Sequence, residues 1–162
     1  MVIRLGTEKD LAEIMKVIDV ARTRMRENGN FSQWTNGYPS EQVILEDILA
    51  GHCYIGEDDE GETVVSFAFI RGEDPTYKII ENGVWLNDEP YGTIHRIASS
   101  GKKKGMLKEC IDFCFTLTEN IRIDTHADNH IMLSALSKLN FKKCGIIYCR
   151  DGSPRLAFQK TK

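Results

Sequence analysis

Between Thr63 and Arg71 the chain reads Thr-Val-Val-Ser-Phe-Ala-Phe-Ile-Arg. Val65, Phe67 and Phe69 alternate there with Val64, Ser66, Ala68 and Ile70. Both alternating sets are apolar or small, the pattern of a strand buried largely on both faces. Such a strand sits inside a sheet with cover on each side, and the rest of the chain must supply that cover. Thr7 can cap a helix whose apolar positions are Leu11, Ile14, Ile18, Ala21 and Met25, ended by Asn28-Gly29-Asn30. Ser40 can cap a second, carrying Ile44, Leu45, Ile48 and Leu49 and stopped by Gly51.

Val2 to Leu5 reads as a short strand, and Cys53 to Gly56 as one joined to Thr63–Arg71 by the acidic turn Glu57-Asp-Asp-Glu-Gly61. The segment Glu73 to Pro90 is punctuated by Pro75, Asn82-Gly83 and Asn87-Asp88 and reads as an irregular excursion. A strand from Tyr91 to Ala98, a helix from Lys102 to about Thr118, and a short strand from Ile121 to Asp124 follow. A helix from Asn129 to Leu139 comes next, with Met132, Leu136 and Leu139 inward. Strands at Phe141–Cys149 and Arg155–Gln159 close the chain around Asp151-Gly152, a hairpin dipeptide. The order is βαα, further strands, βαβα and a last hairpin, an α/β arrangement in one domain spanning residues 1–162.

With 162 residues, 41% of them hydrophobic, such a domain can bury a real core. No run approaches the roughly 18 apolar residues of a membrane span, and Met1 to Glu13 has no secretory apolar region. Five cysteines (Cys53, Cys110, Cys114, Cys144, Cys149) are an odd number without disulfide-framework spacing, so reduced thiols are expected. A net charge of −3 argues against nucleic acid or an anionic membrane as the main partner. A cytoplasmic location is the expectation.

The loop Ser99-Ser-Gly-Lys-Lys-Lys-Gly105 lies between a strand and an amphipathic helix. Cations at a helix N-terminus oppose its partial positive charge, so three lysines there suit a bare helix poorly. They suit a phosphate resting on exposed N–H groups, with Gly101 and Gly105 letting the backbone come close. A solvated lysine cluster is the alternative. The P-loop order and Gly-x-Gly-x-x-Gly are both absent, which disfavours ordinary nucleoside-triphosphate and dinucleotide folds.

Two motifs carry a family resemblance. The run Ile94-His-Arg-Ile-Ala-Ser-Ser-Gly-Lys-Lys-Lys-Gly-Met-Leu107 resembles the Arg/Gln-x-x-Gly-x-Gly/Ala turn of the GNAT N-acetyltransferase superfamily, with Lys102 at the Arg/Gln place and Gly105 at the middle glycine. Leu107 departs from the final Gly/Ala, and the turn is about two residues short. The run Asp124-Thr-His-Ala-Asp-Asn-His to Phe141, followed by Lys-Lys-Cys-Gly145, is similar to that family's strand, asparagine and helix. With the Gln33-Trp34 to Tyr38-Pro39 loop, the chain resembles an uncharacterised bacterial subgroup from Val2 to about Lys160.

The resemblance implies a mixed, mostly antiparallel twisted sheet with a V-shaped splay between two central parallel strands and about four flanking helices. It implies acetyl-CoA as co-substrate, held by Ile97, Ala98, Ser99, Ser100, Gly101, Lys102, Lys103, Lys104, Gly105, Met106, Leu107 and Asn129. It further implies an amine acceptor on a small molecule or peptide, and a homodimer at the level of the family. The helix tyrosine that protonates the leaving thiolate in many relatives is replaced by Leu136.

His95 is the first candidate base, since imidazole titrates near neutrality. Strand alternation puts it on one face with Ile97 and Ser99. A hydrogen-bonded structural histidine is the alternative. Tyr148 is the candidate acid, on a strand that can reach the gap, with packing as its alternative. Proton transfer through water needs neither residue. Trp34 and Tyr38 are candidates for the acceptor wall or for packing over the core. His126 and His130 are four apart, as in a helical zinc pair, but straddle a strand-to-helix junction with no third ligand indicated, so no metal is expected. Two function classes follow: an N-acetyltransferase, or a non-catalytic acyl-CoA binding or sensing module on the same fold.

Overall fold

The computed structural model describes residues 1–162. In chain order the elements are β1 (Val2–Leu5), α1 (Leu11–Glu27), α2 (Glu41–Leu49), β2 (Cys53–Glu57), β3 (Thr63–Arg71), β4 (Gly92–Ser99), α3 (Met106–Leu117), β5 (Asn120–Thr125), α4 (His130–Lys138), β6 (Lys142–Tyr148) and β7 (Pro154–Thr161). The seven strands form one sheet in the order β1-β2-β3-β4-β5-β7-β6. All pairings are antiparallel except β4 with β5.

β3 is the doubly covered strand, with every residue from Val64 to Phe69 buried. One face of the sheet carries α3 and α4, whose Met106, Cys110, Ile111, Cys114 and Leu136 pack with Phe67, Phe69, Ile94, Ile121 and Ile123. The other face carries α1 and α2, whose Ile14, Val17, Ile18, Ile44 and Ile48 pack on Cys53, Ile55 and Ala98. The cap read at Ser40 forms, its Oγ accepting the Val43 N–H, and the structure adds a cap at Asn129, whose Oδ1 accepts the Met132 N–H. Thr7 begins a short 3-10 turn, Glu8–Asp10, that leads into α1. The five cysteines are free, four of them buried. No helix is long and apolar enough to cross a membrane.

One boundary moves with consequence. The helix expected from Lys102 begins at Met106, because Gly101 and Gly105 both take left-handed backbone angles (φ +74 and +81) and cannot start it earlier. Lys102, Lys103 and Lys104 therefore lie in the turn before the helix, not in its first turn.

The excursion between β3 and β4 is a packed flap. Tyr77, Tyr91 and Trp85 cover Ile147 and Ala157 on the α1–α2 side of the sheet, over β5, β7 and β6. Buried polar groups fasten it. Gln159 accepts the Leu86 N–H (2.8 Å) and donates to Asn87 (3.1 Å) and Asn120 (2.8 Å). The Arg122 guanidinium lies between the Trp85 and Tyr91 rings, 4.1 and 3.9 Å from their centroids, and donates to the Asn87 carbonyl. The flap tip also bridges to the edge strand through paired Glu81–Ile146 backbone hydrogen bonds of 2.9 and 2.8 Å.

At Gly83 a β-carbon would overlap the Cys144 carbonyl oxygen. Gly83→Ala is expected to lift the flap from β6 and cost about 1–3 kcal/mol in urea denaturation. An unchanged midpoint would show that the flap is not seated there.

Candidate active site

The site begins with an irregularity in β4. Its register against β3 runs Ser99–Val65 and Ala98–Ser66, then jumps to His95–Ala68, so Arg96 and Ile97 together face Phe67. This is a β-bulge, and Arg96 takes the left-handed φ of +51 within it. The Arg96 guanidinium holds both Asp47 carboxylate oxygens at 2.7 Å and donates to the Tyr38 hydroxyl at 3.2 Å.

The bulge corrects the face assignment made by simple alternation. Residues directly opposite on neighbouring strands share a face, so His95 goes with Ala68 and Ala98 with Ser66, on the α1–α2 side. Ile97 packs against the opposite core with Phe67. His95 and Ile97 therefore lie on different faces.

β4 and β5 pair only at Gly92–Ile121, Thr93–Arg122 and Ile94–Ile123. β5 then continues along β7 to Thr125, while β4 continues along β3 to Ser99. The two parallel strands thus diverge, and a cleft of about 750 Å³ opens at the mouth of the V. Its walls come from the Ser32–Tyr38 loop, α2, the start of the flap, the diverging strands, Asn129 and Met132, and the β6–β7 hairpin.

At its centre His95 Nε2 donates to Asp74 Oδ2 at 2.7 Å. The other Asp74 oxygen accepts the Thr76 N–H (2.8 Å) and hydroxyl (2.7 Å), and the Asp74 N–H donates to the Tyr91 hydroxyl (2.8 Å). Burial pushes the Asp74 carboxyl up, but the bonds from His95 and Thr76 outweigh it and hold its pKa at about 2. With Nε2 donating to the ionised Asp74, Nδ1 is the other ring nitrogen and the one through which this imidazole can accept a proton. Beside it, the Tyr77 hydroxyl donates to Asp124 at 2.6 Å. Burial first, and the Asp124 charge second, raise the Tyr77 pKa well above its ordinary value, so this phenol stays protonated.

The structure brings His95, Ile97, Trp34, Tyr38 and Asn129 to the cleft. Trp34 is also core, 7% exposed among α1 and α2, with its carbonyl held by Arg26 at 2.7 Å. Gln33 Oε1 accepts from Asn129 Nδ2 at 3.1 Å and ties that loop to α4. Residues 98–107 lie beyond the cleft: Ala98 is buried core, and the turn Ser99–Gly105 leads to α3, whose Met106 is buried and whose Leu107 packs on the core. Lys102 pairs with Glu62, and Lys103 lies 3.5 Å from Glu109.

Tyr148 is not at the gap. β6 is the sheet edge, and the Tyr148 hydroxyl donates to Glu81 Oε2 at 2.9 Å, a bond that raises its pKa. Sequence reasoning missed Asp74, Asp47 and the cleft role of Asp124. Asp74-Pro75-Thr76 carries only a generic turn signal.

The chain aligns over 99% of its length with 95% of an acetyltransferase of the GNAT family from Streptococcus agalactiae, at TM-score 0.90 and 34% identity. This chain belongs to the GNAT family of acetyltransferases. A GNAT-family structure from Listeria monocytogenes matches at TM-score 0.73 and 18% identity, covering 99% of this chain and 94% of the other, a likeness of fold alone. No family model and no curated protein matches the chain. The mixed sheet, its parallel pair and its four helices are those expected of the GNAT fold.

In this GNAT protein the Asp74–His95 pair makes a stability prediction. A carboxyl at about 2 when folded, against roughly 3.9 unfolded, stabilises the native state above the unfolded value. Asp74→Asn is expected to cost on the order of 1–2 kcal/mol above pH 5, by urea denaturation. The gap to wild type should shrink as pH falls below 4 and close near 2. A gap constant with pH would mean that ionisation of Asp74 plays no part.

Proposed function

We propose that the protein transfers an acetyl group from acetyl-CoA to a primary amine of a small molecule or peptide by direct attack of the amine on the thioester. The observation that carries this reading is the Asp74–His95 pair, 2.7 Å apart in the cleft where β4 leaves β5. Two features fit the co-substrate. The β4 backbone beyond Ile94 has no β5 partner, which leaves strand edges for a pantetheine amide chain. The first N–H groups of α3 have no intrahelical partner and no side-chain cap, and left-handed Gly101 and Gly105 precede them. Arg24 lies against Gly101, a further cation beside Lys102 to Lys104 that sequence reasoning did not assign.

Acetyl-CoA supplies an acyl group activated as a thioester; the exchange breaks its C–S bond, makes an amide C–N bond, and frees one proton from the amine. His95 Nδ1 is placed to take that proton, and the Asp74 carboxylate at Nε2 stabilises the imidazolium that results. The same proton, returned to the departing sulfur, closes the balance without a dedicated acid. Trp34 and Tyr38 line the wall on which the acceptor would lie.

A binding or sensing module is the second reading. It is favoured by Leu136, which is fully buried in the core and presents no hydroxyl. Free-thiol release from acetyl-CoA with an amine panel separates the two; tight coenzyme binding without turnover supports the module.

His95→Ala is expected to lower kcat by about 10²-fold or more while leaving acetyl-CoA affinity within a few-fold. An unchanged kcat would remove His95 from the chemistry. Joint replacement of Lys102, Lys103 and Lys104 by Ala is expected to weaken CoA binding roughly tenfold, about 1.4 kcal/mol, with little effect on pantetheine. Equal losses in calorimetry would refute a phosphate role.

A further inference from the structure

We infer that the acceptor is an amino-acid-like zwitterion whose carboxylate is received by Arg155, with Arg150 beside it on the β6–β7 hairpin. The inference rests on the acetyl-transfer reading above and deepens it.

Arg155 and His95 share one face of the sheet. Asp124 stands opposite Ala157, and Arg155 is two residues further along β7, opposite Ile147. Ala157 and Ile147 both pack under Tyr77, whose ring is 6.2 Å from that of His95. His95 itself is one residue past the Ile94–Ile123 pair, where the strands begin to part, roughly level with Asp124. Two strand spacings across and two residues along place the two backbones at least about 12 Å apart, and the parting of β4 from β5 adds to that. An imidazole and a guanidinium reaching toward each other across that span leave a few ångströms, the scale of an α-amino acid's amine and carboxylate.

The charges point the same way. Of the carboxylates lining the cleft, Asp47 is paired with the Arg96 guanidinium, while Asp74, Asp124, Glu46 and Asp151 accept hydrogen bonds from His95, Tyr77, Gln42 and Ser153 and keep their negative charge. Glu73 is exposed at the rim. Arg155 is half-buried and donates only to neutral oxygens, Ser153 Oγ and the Pro154 carbonyl, both at 3.2 Å. Asp151, on the same hairpin, has its pKa lowered chiefly by Ser153 and only secondarily by Arg155. Arg150 and Arg155 have no carboxylate partner and so offer guanidinium donors to an acceptor's carboxylate, while the acidic lining around them suits the ammonium end of the same zwitterion.

The test measures thiol release from acetyl-CoA by the wild-type protein with α-amino acids, each set against its carboxamide and its decarboxylated amine. The acids are expected to give kcat/KM at least about tenfold higher. Amides or decarboxylated amines that serve as well or better would overturn the inference while leaving acetyl transfer standing. Arg155→Gln is expected to narrow the acid-to-amide ratio by about tenfold, through KM; an unchanged ratio in a variant with wild-type melting temperature would overturn it too. Absence of thiol release with every acceptor would overturn acetyl transfer itself, and the inference with it.

Discussion

The site depends on β4 leaving β5 after Ile94, and β4 can leave because of what happens at Arg96. A bulge bends a strand and increases its twist, and here it falls two residues after the last parallel pair. The left-handed backbone of Arg96 costs on the order of 1 kcal/mol for a residue with a side chain. The two-pronged ion pair with Asp47 offsets that cost, since a planar guanidinium matches a carboxylate with both oxygens. The same bond fixes α2 to the sheet and sets Tyr38 at the cleft wall. One residue therefore couples strand geometry, helix docking and the shape of the cavity.

The second constraint is the flap. A segment with so many turn residues has little regular backbone hydrogen bonding, so its order must come from side chains. Gln159, Asn120 and Arg122 supply it from the sheet, and Trp85 closes on the Tyr77 carbonyl at 2.9 Å. Such buried polar contacts are costly unless satisfied together, which makes the flap's position specific. That specificity reaches His95, because Asp74 is the flap's first turn and its N–H is held by Tyr91 at the flap's far end. The two ends of the loop thus grip one another beside the imidazole.

What could be read in advance divides along these lines. β3, with Phe67 and Phe69 against Val64 and Ala68, announces a central strand because burial on both faces leaves a local pattern. The helices of the first third are legible for the same reason, their apolar stripes and caps being local. The bulge is not: nothing in His95-Arg96-Ile97 marks the left-handed residue, and alternation applied through it sends His95 to the wrong face. The lysine turn was legible as an N-terminal loop, but its glycines delay the helix by four residues, to Met106. Asp74 belongs to no motif, since its role arises when the flap folds back across the sheet. Tyr148 looked able to reach the gap because a strand's place in the sheet is a long-range property; β6 lies outside β7, at the edge.

The division of charge between the two ends of the V completes the physical picture. Outside, Lys102 to Lys104 lie in the exposed turn before α3 and Arg24 reaches that turn from α1, where ionic interactions are screened and each contact is weak. Inside, the imidazole and its carboxylate are largely shielded, 21% and 16% exposed, and there a single hydrogen bond to a charged group is felt strongly. Under the proposed reading, the diphosphate needs many weak, forgiving contacts, because its task is to dock. The proton transfer needs one well-held contact, because a misplaced imidazole loses the reaction. The fold meets the first need with an exposed lysine turn and the second with a flap pinned at both ends.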